Sequence, residues 1–128
     1  MPAPEEAFAT LLIATADSAL GTLLSAQAES AGAHVLWEAD GMAAYEAVLE
    51  HQPQAVMLDV NLPIHTGLEL AEMLRADPEV PRELRIALLT DDAVEPHRLE
   101  RAGVDGIFPK THDAAMFREW LGWAVHHR

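Results

Sequence analysis

The chain contains no cysteine. Disulfide frameworks, zinc–thiolate centres and cysteine nucleophiles are therefore excluded, and the absence fits a cytoplasmic protein. Basic residues are scarce: 8 Lys and Arg stand against 21 Asp and Glu, a formal net charge of −13 over 128 residues. A compact surface that acidic repels phosphate backbones and anionic lipid, so nucleic-acid binding by this chain alone is not expected. Long apolar runs are missing as well, and no segment has the length to span a bilayer. The first apolar stretch, Thr10–Ala14, follows Glu5 and Glu6 rather than the basic segment that opens a signal peptide. Neither an internal repeat nor a low-complexity linker breaks the chain.

What is present is half hydrophobic and spread along the whole length. That is enough for one core and too little for two, so residues 1–128 are expected to form a single domain. Short apolar runs alternate with helical patterns. Thr10–Ala14 reads as a strand buried on both faces, with Asp17 or Ser18 capping the helix that follows. His34–Glu38 is a weaker second strand, and Asp40-Gly41 a turn before the next helix. Ala55–Asp59 is apolar until its last residue. Pro63 and Gly67 bound a loop, and a third helix stops near Asp77-Pro78. Arg85 to Thr90, a short helix ending at Gly103, Asp105 to Pro109 and a last helix from about Asp113 complete the series. Five such units imply an α/β fold: a doubly wound, five-stranded parallel sheet with helices on both faces.

In such sheets the functional site lies beyond the carboxyl ends of the strands. A carboxylate (Asp59), a hydroxyl (Thr90) and an ammonium (Lys110) fall there. Burying Asp59 without a partner is costly, and Lys110 can supply the opposite charge. This set suits covalent phosphorylation of a carboxylate, with the lysine and hydroxyl binding the new phosphoryl oxygens. The plainer alternatives are a helix-capping aspartate and a solvated lysine.

Several motifs carry a family resemblance. They are Leu58-Asp59-Val60-Asn61-Leu62-Pro63 followed by Gly67-Leu68-Glu69-Leu70; Ala39-Asp40-Gly41; Leu88-Leu89-Thr90; and Ala102-Gly103-Val104-Asp105-Gly106 with Phe108-Pro109-Lys110. From about Thr10 to Trp123 the chain resembles the receiver domain of bacterial response regulators in two-component and phosphorelay signalling, a flavodoxin-like fold. The resemblance implies that Asp59 is the phosphoacceptor, that Thr90 and Lys110 are the switch residues, and that a histidine kinase or phosphotransfer protein is the partner. It implies no enzyme beyond self-phosphorylation and dephosphorylation at Asp59. No output domain is visible in the chain.

The chain departs from that pattern in informative places. The family has two adjacent acids after the first strand that help bind Mg²⁺; Thr15 and Ala16 stand there instead. Asp17 matches the next position, which is not the metal ligand. The resemblance leaves Asp59 and the backbone carbonyl of Asn61, with Asp17 or Asp91 as reserves, so Mg²⁺ is expected to bind weakly or not at all. Mg²⁺-dependent phosphorylation should then be impaired, and a phosphorylation-independent pseudo-receiver becomes the alternative function. Asp91 is expected to cap a helix starting near Asp92 in preference to a metal role. The family's switch aromatic is replaced by Ile107, and Phe108 points to the other face. The segment from Thr90 to Lys110 is short, which would clip the fourth helix.

On the last helix Met116, Trp120 and Trp123 form one stripe, and Phe117, Leu121 and Ala124 the next. Either the stripes merge into one wide buried face, or the Trp-bearing one forms an interface, such as a homodimer contact. His51, His65, His97 and His112 show no metal-ligand spacing. A third reading, a flavodoxin-like binding protein, needs a phosphate-cradling loop after the first strand. Thr15–Ala19 is a poor one, because Asp17 would repel the phosphate.

Overall fold

The computed structural model describes residues 9–110 and 114–126, so Glu5, Glu6, His112 and Asp113 lie outside the described residues. Ten elements alternate: β1 Thr10–Ala14, α1 Ser18–Ser30, β2 His34–Glu38, α2 Gly41–His51, β3 Ala55–Asp59, α3 Gly67–Ala76, β4 Arg85–Leu89, α4 Pro96–Ala102, β5 Gly106–Phe108 and α5 Ala114–His126. The strands form one parallel sheet in the order β2-β1-β3-β4-β5. This is the doubly wound arrangement expected from the alternation of apolar runs and helices.

Alternation along the strands divides the core in two. Leu12, Val56, Leu58, Ile86 and Leu88 face α2, α3 and α4, meeting Ala44, Val48, Leu70, Leu74 and Ala102. Leu11, Ile13, Met57, Ala87 and Leu89 face the other way, against Leu20 and Leu24 of α1 and Phe117 and Leu121 of α5. The three central strands are therefore apolar on both sides, which is why they read as unbroken hydrophobic runs.

The starts of the first three helices are fixed by side-chain caps. Asp17 and Asp40 cap α1 and α2, accepting from Leu20 N and Ala43 N. Thr66 and Glu69 form a reciprocal capping box at α3, which satisfies two of the free amides of its first turn. The fourth helix corrects the expectation of a start near Asp92. It begins at Pro96 with Glu95 as the N-cap and has only 7 residues. Proline sits well at a first helical position and forces the residue before it into extended backbone. Among the described residues no helix is long and apolar enough to cross a membrane.

Candidate functional site

With the order 2-1-3-4-5, the direction of winding reverses between β1 and β3, and a crevice opens beyond their carboxyl ends. Thr15 follows β1 and Asp59 ends β3, so the two face each other across that crevice. Both are buried. The Thr15 hydroxyl donates to Asp59 Oδ2 at 2.7 Å. The Asn61 backbone N–H donates to Oδ1 at 2.9 Å, and the Lys110 ammonium lies 3.0 Å from the same oxygen. Both carboxylate oxygens are thus met by donors of the chain itself. This is the condition for holding a carboxylate in a low-dielectric place.

Close packing holds Asp59 from behind. A Cβ on Gly67 would lie 2.6 Å from the Asp59 carbonyl oxygen, so only glycine lets α3 start this near the strand end. The intervening loop is tied by Leu62 N–H to Asp59 O (3.3 Å), Gly67 N–H to Val60 O (3.3 Å) and Gly41 N–H to Pro63 O (3.0 Å). It places Ile64 at φ 72°, a left-handed conformation that a β-branched side chain rarely adopts.

The other expected residues are distributed as follows. Thr90 is buried at the end of β4, but its hydroxyl accepts from Asp92 N–H at 3.0 Å and so turns into its own loop. Ala16 and Asp17 are exposed, and the Asp17 carboxylate is taken up in capping α1. Asn61 contributes its backbone amide and leaves its side chain exposed. Asp91 does not cap a helix: its Oδ1 accepts the backbone N–H of Lys110 at 2.8 Å. Ile107 is exposed, whereas Phe108 is buried and meets Trp120 edge-on at 5.8 Å between ring centroids. On α5 the two stripes separate. Phe117, Leu121 and Ala124 are buried, Trp120 packs at the edge of the core, and Met116 and Trp123 remain exposed.

Sequence reasoning missed Trp37. Its indole N–H donates to the Thr15 carbonyl at 3.0 Å, and its ring lies across Gly21 of α1, where an added Cβ would sit 2.1 Å from it. A tryptophan on an edge strand opposite a helical glycine was the available signal.

A five-stranded parallel sheet in the order 2-1-3-4-5, with a buried aspartate meeting a lysine and a hydroxyl at its carboxyl end, defines the class: a flavodoxin-like receiver fold. The chain belongs to the response regulator receiver domain family, whose model matches residues 11–121, and it is a receiver of two-component signalling. It is 26% identical over 95 residues to the polar-differentiation response regulator DivK of Brucella anthropi, covering 73% of this chain and 76% of that one. It is 34% identical over 68 residues to a protein-glutamate methylesterase/protein-glutamine glutaminase of Haloarcula marismortui; the match takes in 52% of this chain and 18% of that protein's length. Its fold matches the receiver domain of the sensor histidine kinase PA1611 from Pseudomonas aeruginosa, with TM-score 0.83, 24% identity and coverage of 94% and 99% of the two chains. That structure holds a magnesium ion coordinated in its active-site cleft.

The groups that meet Asp59 in this chain are hydrogen-bond donors. Mg²⁺ requires a near-octahedral shell of oxygens, whereas Asp59 is surrounded by an ammonium, an amide and a hydroxyl that donates to it. Among the described residues no group of three or more His, Cys, Asp or Glu is placed to hold a metal.

Proposed function

We propose that Asp59 is the phosphoacceptor position of this receiver and that its magnesium-dependent phosphorylation is impaired. The observation that carries this reading is the donor set on the carboxylate: Thr15 on Oδ2, Asn61 and Lys110 on Oδ1. In transfer, one Asp59 oxygen attacks the phosphorus of an acyl phosphate or phosphohistidine. The bond from phosphorus to the donor breaks, its electron pair leaves with the donor, and an aspartyl phosphate remains. The hydrogen bonds it accepts draw charge from the attacking oxygen and lower its nucleophilicity. Lys110 is placed to offset charge on the incoming oxygens, but Thr15 and Ala16, where the family has acids, add no ligand for a second cation. The proposed donor is a histidine kinase or phosphotransfer protein. Self-phosphorylation and dephosphorylation at Asp59 are the only chemistry proposed for the chain.

Incubation with acetyl phosphate and Mg²⁺, followed by intact mass, tests this. The expected result is a slow adduct that is absent in Asp59→Ala. Rapid phosphorylation that saturates at low Mg²⁺ would overturn the impairment, and an adduct surviving Asp59→Ala would overturn the site.

The Thr15–Asp59 hydrogen bond favours a second reading, a module that signals through protein contact without phosphorylation. It requires that no adduct form at high donor concentration or with a partner kinase. Met116 and Trp123, exposed on α5, are the surface proposed for contact with a second copy. Sedimentation of Met116→Glu and Trp123→Glu, expected to stay monomeric where the parent associates, checks that contact.

A further inference from the structure

The chain has a single lysine, Lys110, and its main chain is held in an unusual way. β4 and β5 are in parallel register with Leu89 opposite Phe108, and the Thr90 N–H continues the ladder to the Phe108 carbonyl at 2.9 Å. In a regular parallel ladder the next bond runs from the Lys110 N–H to the Thr90 carbonyl. The Lys110 N–H goes instead to the Asp91 carboxylate at 2.8 Å. The residue between, Pro109, has no N–H to offer. An exposed side chain therefore replaces the backbone acceptor at the last rung, on the main chain of the residue whose ammonium pairs with Asp59.

We infer that Asp91 is a positioning residue: its carboxylate closes the β4–β5 ladder and fixes the Lys110 backbone so that the ammonium stays on Asp59. A lysine is a point charge on a flexible four-carbon stem, so its reach is set by where its main chain is anchored. Hydrogen bonds to an ionised acceptor are shorter and stronger than neutral ones. Without Asp91 the loop after β5 loses its tie to the loop after β4, and Lys110 gains freedom to leave Oδ1. The inference rests on reading Asp59 and Lys110 as the signalling pair.

The lone lysine makes the test selective. Acetylation by an N-hydroxysuccinimide ester, followed by peptide mass mapping to separate the N-terminal amine, reads the availability of the Lys110 ammonium. Asp91→Ala is expected to react roughly five-fold faster than the parent, the order of effect of one charge-assisted hydrogen bond near solvent. Asp91→Asn keeps an oxygen acceptor without its charge and is expected to react at a rate between those of the parent and Asp91→Ala, while Asp59→Asn marks the rate of an unpaired lysine. An Asp91→Ala rate equal to the parent's overturns the inference, and so does an Asp91→Asn rate equal to that of Asp91→Ala. The Lys110 amide proton adds a readout that general loosening would not produce: its exchange with solvent is expected to quicken in Asp91→Ala while the amides of β3 keep the parental rate. An unchanged Lys110 exchange rate in Asp91→Ala also overturns the inference. These measurements need no phosphorylation, so failure of Asp59 to take a phosphoryl group would leave them readable.

Discussion

Each end of the sheet holds an aspartate among basic groups, and the two are built differently. At the carboxyl end Asp59 is buried and shares one ammonium with a hydroxyl and an amide. At the amino end Asp105 sits nearer solvent between two guanidinia, Arg75 at 3.0 Å and Arg85 at 3.7 Å, and accepts the Ile86 N–H at 2.9 Å. Arg75 also donates to the Gly103 carbonyl at 3.0 and 2.9 Å, and Arg85 lies over the Trp123 ring at 4.6 Å. Burial pulls the Arg75 value below the usual guanidinium range, and neighbouring Asp105 opposes that shift. The amino-end cluster is thus a staple joining α3, β4 and the start of β5, with cations in excess of its acid. The carboxyl-end cluster has one cation for its one buried carboxylate, with no surplus of positive charge.

The largest effect should come from restoring what the carboxyl end lacks. Thr15→Asp combined with Ala16→Asp is expected to raise the Mg²⁺-dependent phosphorylation rate of Asp59 by about 100-fold, through charge offset at the incoming phosphoryl group. Intact mass against time checks this, and an unchanged rate would break the contrast between the ends. Next, Lys110→Met leaves the buried Asp59 with no counter-charge. A loss of about 2–3 kcal/mol in urea unfolding is expected. Arg85→Met should cost no more than about 1 kcal/mol by the same measurement, because Arg75 remains on Asp105 near solvent. Arg75→Ala falls between them at about 1–2 kcal/mol, since it strands the Gly103 carbonyl as well as the acid.

The smallest effect lies outside both ends, in the hydrogen bond from the Tyr45 hydroxyl to Asp77 that ties α2 to the end of α3. That bond holds Asp77 below its ordinary value and raises Tyr45 above its own. The Asp77 contribution is present above the ordinary aspartate range and lost as pH falls through the lower, folded value. The Tyr45 contribution is present below the ordinary phenol range and lost as pH rises through the higher, folded value. Tyr45→Phe should flatten both limbs of a melting-temperature profile against pH without moving its centre.

Much of this was legible in the chain because strands buried on two faces leave unbroken apolar runs. Where such runs end, Asp59 and Lys110 meet, whereas the Thr90 hydroxyl turns into its own loop. The α4 start was misjudged because Asp91 looks like a cap, yet Pro96 carried the better signal: its fixed φ suits the first turn. The direction of a hydroxyl or carboxylate was not legible at all. Thr15 meets Asp59 across 44 residues and Asp91 meets Lys110 across 19. Such pairings depend on strand register and rotamer, and neither leaves a periodic trace. Trp37 escaped notice for the same reason, since its role depends on a glycine in another element.

That pairing of Trp37 with Gly21 restricts how the chain can change over generations. A glycine inside a helix costs about 1 kcal/mol relative to alanine, so drift toward alanine would ordinarily be favoured at position 21. Here the first added carbon would land 2.1 Å from the indole, and the indole in turn holds the Thr15 carbonyl. Position 21 can gain a side chain only if the ring at position 37 moves or is replaced. Substitutions at these two positions are therefore coupled, although neither residue meets Asp59.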